Sequence, residues 1–129
     1  MTQVTKHFRI EEFDCKDGSS YPESWVEARL QPLAEALEVV RKQTGTSIRV
    51  LSGYRTPEHN KEVGGAKDSM HLRGVAADIK AGAVKPHDLY QLIETLIKRK
   101  KIPDGGLGLY PGFVHYDLRT LFGREPTRW

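Results

Sequence analysis

Leu30, Leu33, Leu37 and Val40 recur at spacings of three, four and three between Pro22 and Thr44, an apolar stripe of helical period. Such a stripe has to be covered by another surface, so this segment predicts a helix packed against a second layer. Gly45 stands where a helix stop is expected, and Pro32 should either begin the regular helix or kink it. A second stripe, Leu89, Leu92, Ile93, Leu96 and Ile97, predicts a helix from about Pro86 to Arg99, with Pro86 suited to its first turn. The remaining apolar runs are short and alternating. "SIRVLS" at 47–52 and "GVAADIK" at 74–80 read as strands, and "LGLY" and "FVHYDLR" follow the turn "PDGG" at 103–106 as two more, separated by Pro111 and Gly112. "GYRTPEHN" reads as a loop in which Pro57 opens a short helix through Glu62, ended by Gly64 and Gly65. Without regular strand–helix–strand alternation, these elements point to an α+β fold with a mainly antiparallel sheet flanked by helices.

No repeat, low-complexity tract or linker divides the 129 residues, so one domain over 1–129 is expected, large enough to bury a core without staples. No apolar run approaches the roughly 20 residues of a membrane helix, and no membrane insertion is expected. "MTQVTKHFRIEEFD" has no apolar signal-peptide core, which predicts cytoplasmic synthesis without a cleaved leader. The single Cys15 has no partner for an internal disulfide and reads as a small packed residue. A net charge of +3 suits an anionic partner, yet the positive charges are scattered except in "IKRKK" at 97–101. A basic last turn is what a helix dipole favours, so that run reads as a solvated helix end and no nucleic-acid partner is expected.

"SMHLRGVAAD" at 69–78 sets His71 seven positions before Asp78, and His115 follows in the last strand candidate. Two imidazoles and a carboxylate suffice to hold a catalytic zinc with water in the fourth position. Gly74 lets the backbone turn between His71 and Asp78, and Ala76 and Ala77 keep bulk away from an ion. Spacing alone leaves the alternative that Asp78 satisfies backbone donors and His115 is a partly buried strand residue.

"SGYRTPEHNKEVGGAKDSMHLRGVAADI", followed by "GLGLYPGFVHYDLR", closely resembles the zinc D-Ala-D-Ala carboxypeptidase-like metallopeptidases, whose fold is related to hedgehog domains. The likeness runs from about residue 30 to Arg119 and is closest to the small phage and prophage endopeptidase-like branch; "FRIEEFDCKDG" and the "RW" at 128–129 also look like that branch. It rests on a Ser-x-His-x-x-Gly-x-Ala-x-Asp signature met by Ser69, His71, Gly74, Ala76 and Asp78. The resemblance implies a zinc peptidase of peptidoglycan stem peptides, D-Ala-D-Ala carboxypeptidase or endolysin-like endopeptidase. Separately, a monomer is expected. It implies His71, Asp78 and His115 as zinc ligands and Arg55 as a residue of the substrate site, able to clamp a carboxylate or hold developing negative charge. Ser69 is expected to contact substrate or support His71. His59 and Asn60 lie in a loop that borders such a cleft, His59 reading best as a solvated loop histidine.

One position departs from the pattern. Many members of the superfamily place an acidic general base three residues before the last histidine ligand, and here that position is Gly112. Asp117 shares a strand face with His115, about 6.5 Å further along, and is expected either to carry protons or to orient the histidine. Asp104 is a weaker substitute. The same departure leaves open a binding module or phage structural component that keeps the metal without efficient hydrolysis.

Overall fold

The computed structural model describes residues 2–129. Three α-helices and a five-stranded sheet follow in the order α1 (Gln31–Thr44), β1 (Ile48–Ser52), α2 (Pro57–Glu62), β2 (Ala76–Ala81), α3 (Pro86–Lys98), β3 (Gly106–Leu109), β4 (Val114–Asp117) and β5 (Thr127–Arg128). Shorter helical turns cover Ile10–Phe13, Glu23–Trp25, Val26–Leu30, Met70–Arg73 and Arg119–Phe122. The sheet order is β1-β2-β4-β3-β5. All neighbours run antiparallel except β3 and β5, which are parallel. The α+β architecture expected from the sequence is thus present.

Pro32 begins the regular helix. Its ring nitrogen has no hydrogen to donate, and the chain reaches it through a wider π-turn over Val26–Leu30, closed by the Gln31 N–H on the Val26 carbonyl. Gly45 closes α1 in the left-handed conformation (φ 71°), and its N–H caps the Arg41 carbonyl. Leu30, Leu33, Leu37 and Val40 of the first stripe are fully buried, as are Leu89 and Ile93 of the second. Both helices pack against the sheet and against each other, over the face that carries Ala77, Ile79, Leu107, Val114 and Tyr116. Each fully buried leucine or isoleucine contributes about 1.5–3 kcal/mol from the area withdrawn from water.

Strand register fixes what the opposite face carries. Asp78 of β2 pairs with His115 of β4, and His115 pairs with Gly108 of β3. One step along, Ala76, Asp117 and Gly106 form the next row. The sequence gives no sign of β5, a two-residue strand with no alternation to read. It is anchored by Arg128, whose guanidinium binds Glu94 of α3 at 2.8 and 3.1 Å and Asp104 at 2.8 Å.

Candidate functional site

His71 sits on the tight turn Met70–Arg73, leading into β2. Ser69 caps this turn, its hydroxyl accepting from the His71 N–H at 3.2 Å. Gly74 ends it with φ 70° and turns the chain toward β2. Any side chain there would collide with Tyr21 and Trp25: an added Cβ lies 2.6 Å from the Tyr21 hydroxyl oxygen. That hydroxyl donates to the Gly74 carbonyl at 2.6 Å and pins the turn. The backbone around the first histidine is therefore set by Gly74 and an aromatic partner 53 residues earlier in the chain.

The cross-strand pair then brings the other two residues to the same point. Asp78 Oδ1 lies 3.2 Å from His71 Nε2 and 3.0 Å from His115 Nδ1. All three residues are buried, at 3%, 6% and 6% exposure for His71, Asp78 and His115, and their donor atoms converge closely enough to hold one metal ion.

The far side of each ring fixes which nitrogen carries the proton. His71 Nδ1 is 2.7 Å from the Gly53 carbonyl, which only accepts, so Nδ1–H is the donor. His115 Nε2 is 2.6 Å from Asp117 Oδ2, so Nε2–H donates to that carboxylate. Neutral rings held in these tautomers aim both remaining lone pairs at an anionic oxygen of Asp78. A cation among them relieves that repulsion, and two imidazoles with one carboxylate suit zinc in donor type and number. A proton on the rings can serve in place of that cation. Burial raises the Asp78 carboxyl, but hydrogen bonds from N–H groups of protonated His115 and His71 outweigh it and hold it well below the usual carboxylate range. Burial lowers His115, and its bonds to Asp117 and Asp78 overcome that and raise it, so the buried carboxylates favour a positive charge on or between the rings.

A cleft of about 240 Å³ opens over the triad, bordered by Arg55, Asp68, Ser69, Tyr110, Arg119, Arg124 and Trp129 among others. Arg55 reaches it from the loop between β1 and α2, with Nη2 3.5 Å from Asp78 Oδ2. Its guanidinium also donates to Ser52 Oγ at 3.3 Å and Asn60 Oδ1 at 3.2 Å. Asn60 is buried and donates to the Ala66 carbonyl at 2.9 Å, so it braces Arg55 from beneath. Gly65 is required there, because a Cβ would fall 2.0 Å from Asn60 Oδ1. Ser69 lines the cleft, whereas His59 faces away from it, half-buried on α2.

Asp117 is fully buried behind His115. Its carboxylate accepts from His115, from the backbone N–H groups of Gly106 and Arg119, and twice from the Arg119 guanidinium at 3.0 and 2.8 Å. Asp104 is tied to Arg128 and the Gly105 N–H, away from the cleft. Gly112 lies in the exposed β3–β4 turn, where an added Cβ meets nothing within 4 Å. Several cleft residues are invisible as such in the sequence: Trp129, brought in by β5 with its ring 5.0 Å from His115; Tyr110, whose hydroxyl accepts from Trp129 Nε1 at 2.8 Å; and Asp68, paired with Arg124 and Arg73. The Gly53 carbonyl has no side-chain signature at all.

Among curated proteins no match to this chain is found. Among models of known families, residues 6–117 match the one described as Peptidase M15, which covers most of the chain. The convergent His71–Asp78–His115 group is what a metal-dependent member requires. The chain therefore belongs to the peptidase M15 family and is a zinc metallopeptidase of the kind that acts on peptidoglycan peptides.

Proposed function

We propose that this protein hydrolyses a peptide bond in the stem peptides of peptidoglycan, as a D-Ala-D-Ala carboxypeptidase-like or endolysin-like enzyme, with zinc held by His71 Nε2, Asp78 Oδ1 and His115 Nδ1. The observation that carries this reading is the pair of lone pairs aimed at Asp78 Oδ1, at 3.2 and 3.0 Å, on the floor of an open cleft. When bound, zinc lowers the pKa of its water to about 7 and polarises the scissile carbonyl.

The chain's own residues do the rest. Arg55, braced by Ser52 and Asn60, offers guanidinium N–H groups to a substrate carboxylate or to the carbonyl oxygen as it gains charge. Ser69 holds the His71 turn and presents its hydroxyl to the cleft. Asp117 serves as the carboxylate that orients His115, because its oxygens are committed behind the ring and do not reach the cleft. Of the two carboxylates that line the cleft, Asp78 faces the two histidines, which leaves Asp68, solvent-exposed and paired with Arg73 and Arg124, to carry the proton. The likeness to the small phage and prophage branch supports a cell-wall-lytic role, exercised after release from the cytoplasm or delivery on a particle, and the basic charge suits an anionic wall.

The test is release of peptides from purified peptidoglycan by wild-type protein and His71→Ala. Activity should disappear with chelator and return with zinc, and His71→Ala should be inactive and hold one metal equivalent less than wild type. Hydrolysis that survives chelation or the His71 substitution would sink the assignment. Full zinc at this site without hydrolysis of any wall preparation would leave a binding module.

A further inference from the structure

A second convergence of metal-binding groups lies outside the cleft. The segment around Cys15 folds back on itself: the Cys15 N–H donates to the Ser19 carbonyl at 2.9 Å, and the Gly18 N–H returns to the Cys15 carbonyl at 3.0 Å. Gly18 takes φ 98°, which an L side chain rarely adopts. This knuckle turns the Cys15 sulfur and the Asp17 carboxylate toward the start of α2. There the Thr56 N–H donates to Cys15 Sγ at 3.5 Å, and the Thr56 hydroxyl donates to Asp17 Oδ2 at 2.8 Å. His59, held by its N–H on Thr56 Oγ1, brings a ring nitrogen to the same spot. Donor atoms of Cys15, Asp17 and His59 all lie within 4.8 Å of one another, the same limit that His71, Asp78 and His115 meet.

The donors are chemically matched to a borderline-soft cation. A thiolate, an imidazole and a carboxylate are all zinc ligands, and around a common ion at 2.0–2.3 Å they stand roughly 3.3–3.8 Å apart. The Asp17 carboxylate accepts from the Ser19 N–H at Oδ1 and from the Thr56 hydroxyl at Oδ2, both at 2.8 Å, and its oxygens keep further lone pairs for an ion.

From this geometry we propose a second metal site, separate from the cleft, in which Cys15, Asp17 and His59 bind a zinc-like divalent cation with solvent completing its coordination. As the sulfur–metal bond forms, the thiol proton leaves to solvent. Thr56 directly follows Arg55, so the ion ties the N-terminal segment to the loop that carries the substrate-site arginine. It closes a loop between segments 41 residues apart, at Cys15 and Thr56.

Cobalt titration of the metal-free full chain tests this without reference to hydrolysis. The protein has one cysteine, and the His71–Asp78–His115 group has only nitrogen and oxygen donors, so a near-ultraviolet thiolate-to-cobalt charge-transfer band reports Cys15 alone. The expected result is two cobalt ions per chain, with a band that persists in His71→Ala. Cys15→Ser should lack the band and still take up one cobalt, and His59→Ala should weaken the band-forming equivalent. Wild-type protein that takes up cobalt without the band would overturn the proposal. Because wild type decides the matter, a variant that fails to fold changes nothing. Failure of the peptidase reading would show separately, as absent hydrolysis with the band intact.

Discussion

His115 donates from Nε2 to Asp117 Oδ2 at 2.6 Å while its Nδ1 faces Asp78 Oδ1 at 3.0 Å, so the two carboxylates hold opposite edges of one ring. The bond behind the ring fixes the tautomer and strengthens the ligand nitrogen in front. Asp117→Asn should therefore weaken zinc affinity by roughly 10- to 100-fold. It should also destabilise the protein, since Arg119 is left facing a neutral group. The decisive readout is peptide hydrolysis with zinc raised to saturation. A positioning role predicts that most activity returns; a lost proton carrier would leave a deficit of about 10²–10⁴ whatever the zinc concentration.

Asp68 offers the converse case. It lines the cleft with its side chain 60% exposed, and its hydrogen bond from Arg124, aided by the charge of Arg73, holds the carboxyl below its usual range and hence ionised near neutral pH. Asp68→Asn should retain wild-type zinc content and stability while kcat falls by about 10²-fold or more. An unchanged kcat would return the proton step to solvent.

How much of this was legible from the sequence depends on what sets each feature. The helices were readable because Leu30, Leu33, Leu37 and Val40 must be buried together, and the strand carrying Asp78 because its neighbours alternate. The likeness carried by "SMHLRGVAAD" named the convergent triad, and alternation placed Asp117 on the His115 face. Alternation says which face a side chain takes, and nothing of which edge of the ring it meets. That depended on Gly106 and Arg119, whose donors surround Asp117 and draw it behind His115. Trp129 and the Gly53 carbonyl were out of reach for a related reason. One depends on a two-residue parallel strand held by Arg128, the other on a backbone atom. His59, read as a solvated loop residue, is half-buried because α2 packs beside the Cys15 knuckle.

Trp129 forms one wall of the cleft, its ring 5.0 Å from His115 and under the Arg119 guanidinium at 5.1 Å. Gly108 leaves the room for it, since a Cβ there would lie 2.5 Å from the indole. Trp129→Ala should raise KM by about tenfold, roughly 1.4 kcal/mol, with a smaller change in kcat. Gly108→Ala should reproduce the KM effect by displacing the indole, and a shift in tryptophan fluorescence would report the displacement. Equal losses in kcat for both variants would instead mean that Trp129 supports His115.

The Glu38–His7 pair joins the N-terminal segment to α1, with His7 Nδ1 2.7 Å from Glu38 Oε1 and the His7 N–H 2.7 Å from Oε2. Burial raises the Glu38 carboxyl, but these bonds outweigh it and set it below its ordinary value of 4.5. A carboxyl lowered by folding contributes stability that is fully present above the unfolded value and lost as pH falls through the folded one. The pair is near the surface, so the contribution is at most about 1 kcal/mol and is screened by salt. Urea unfolding of wild type and Glu38→Gln should show wild type more stable at pH 7, with the gap narrowing steadily below pH 4.5. A gap that stays constant with pH would show that the interaction does not depend on the Glu38 charge, and that the N-terminal segment is held by its packing through Phe8 and Phe13 alone.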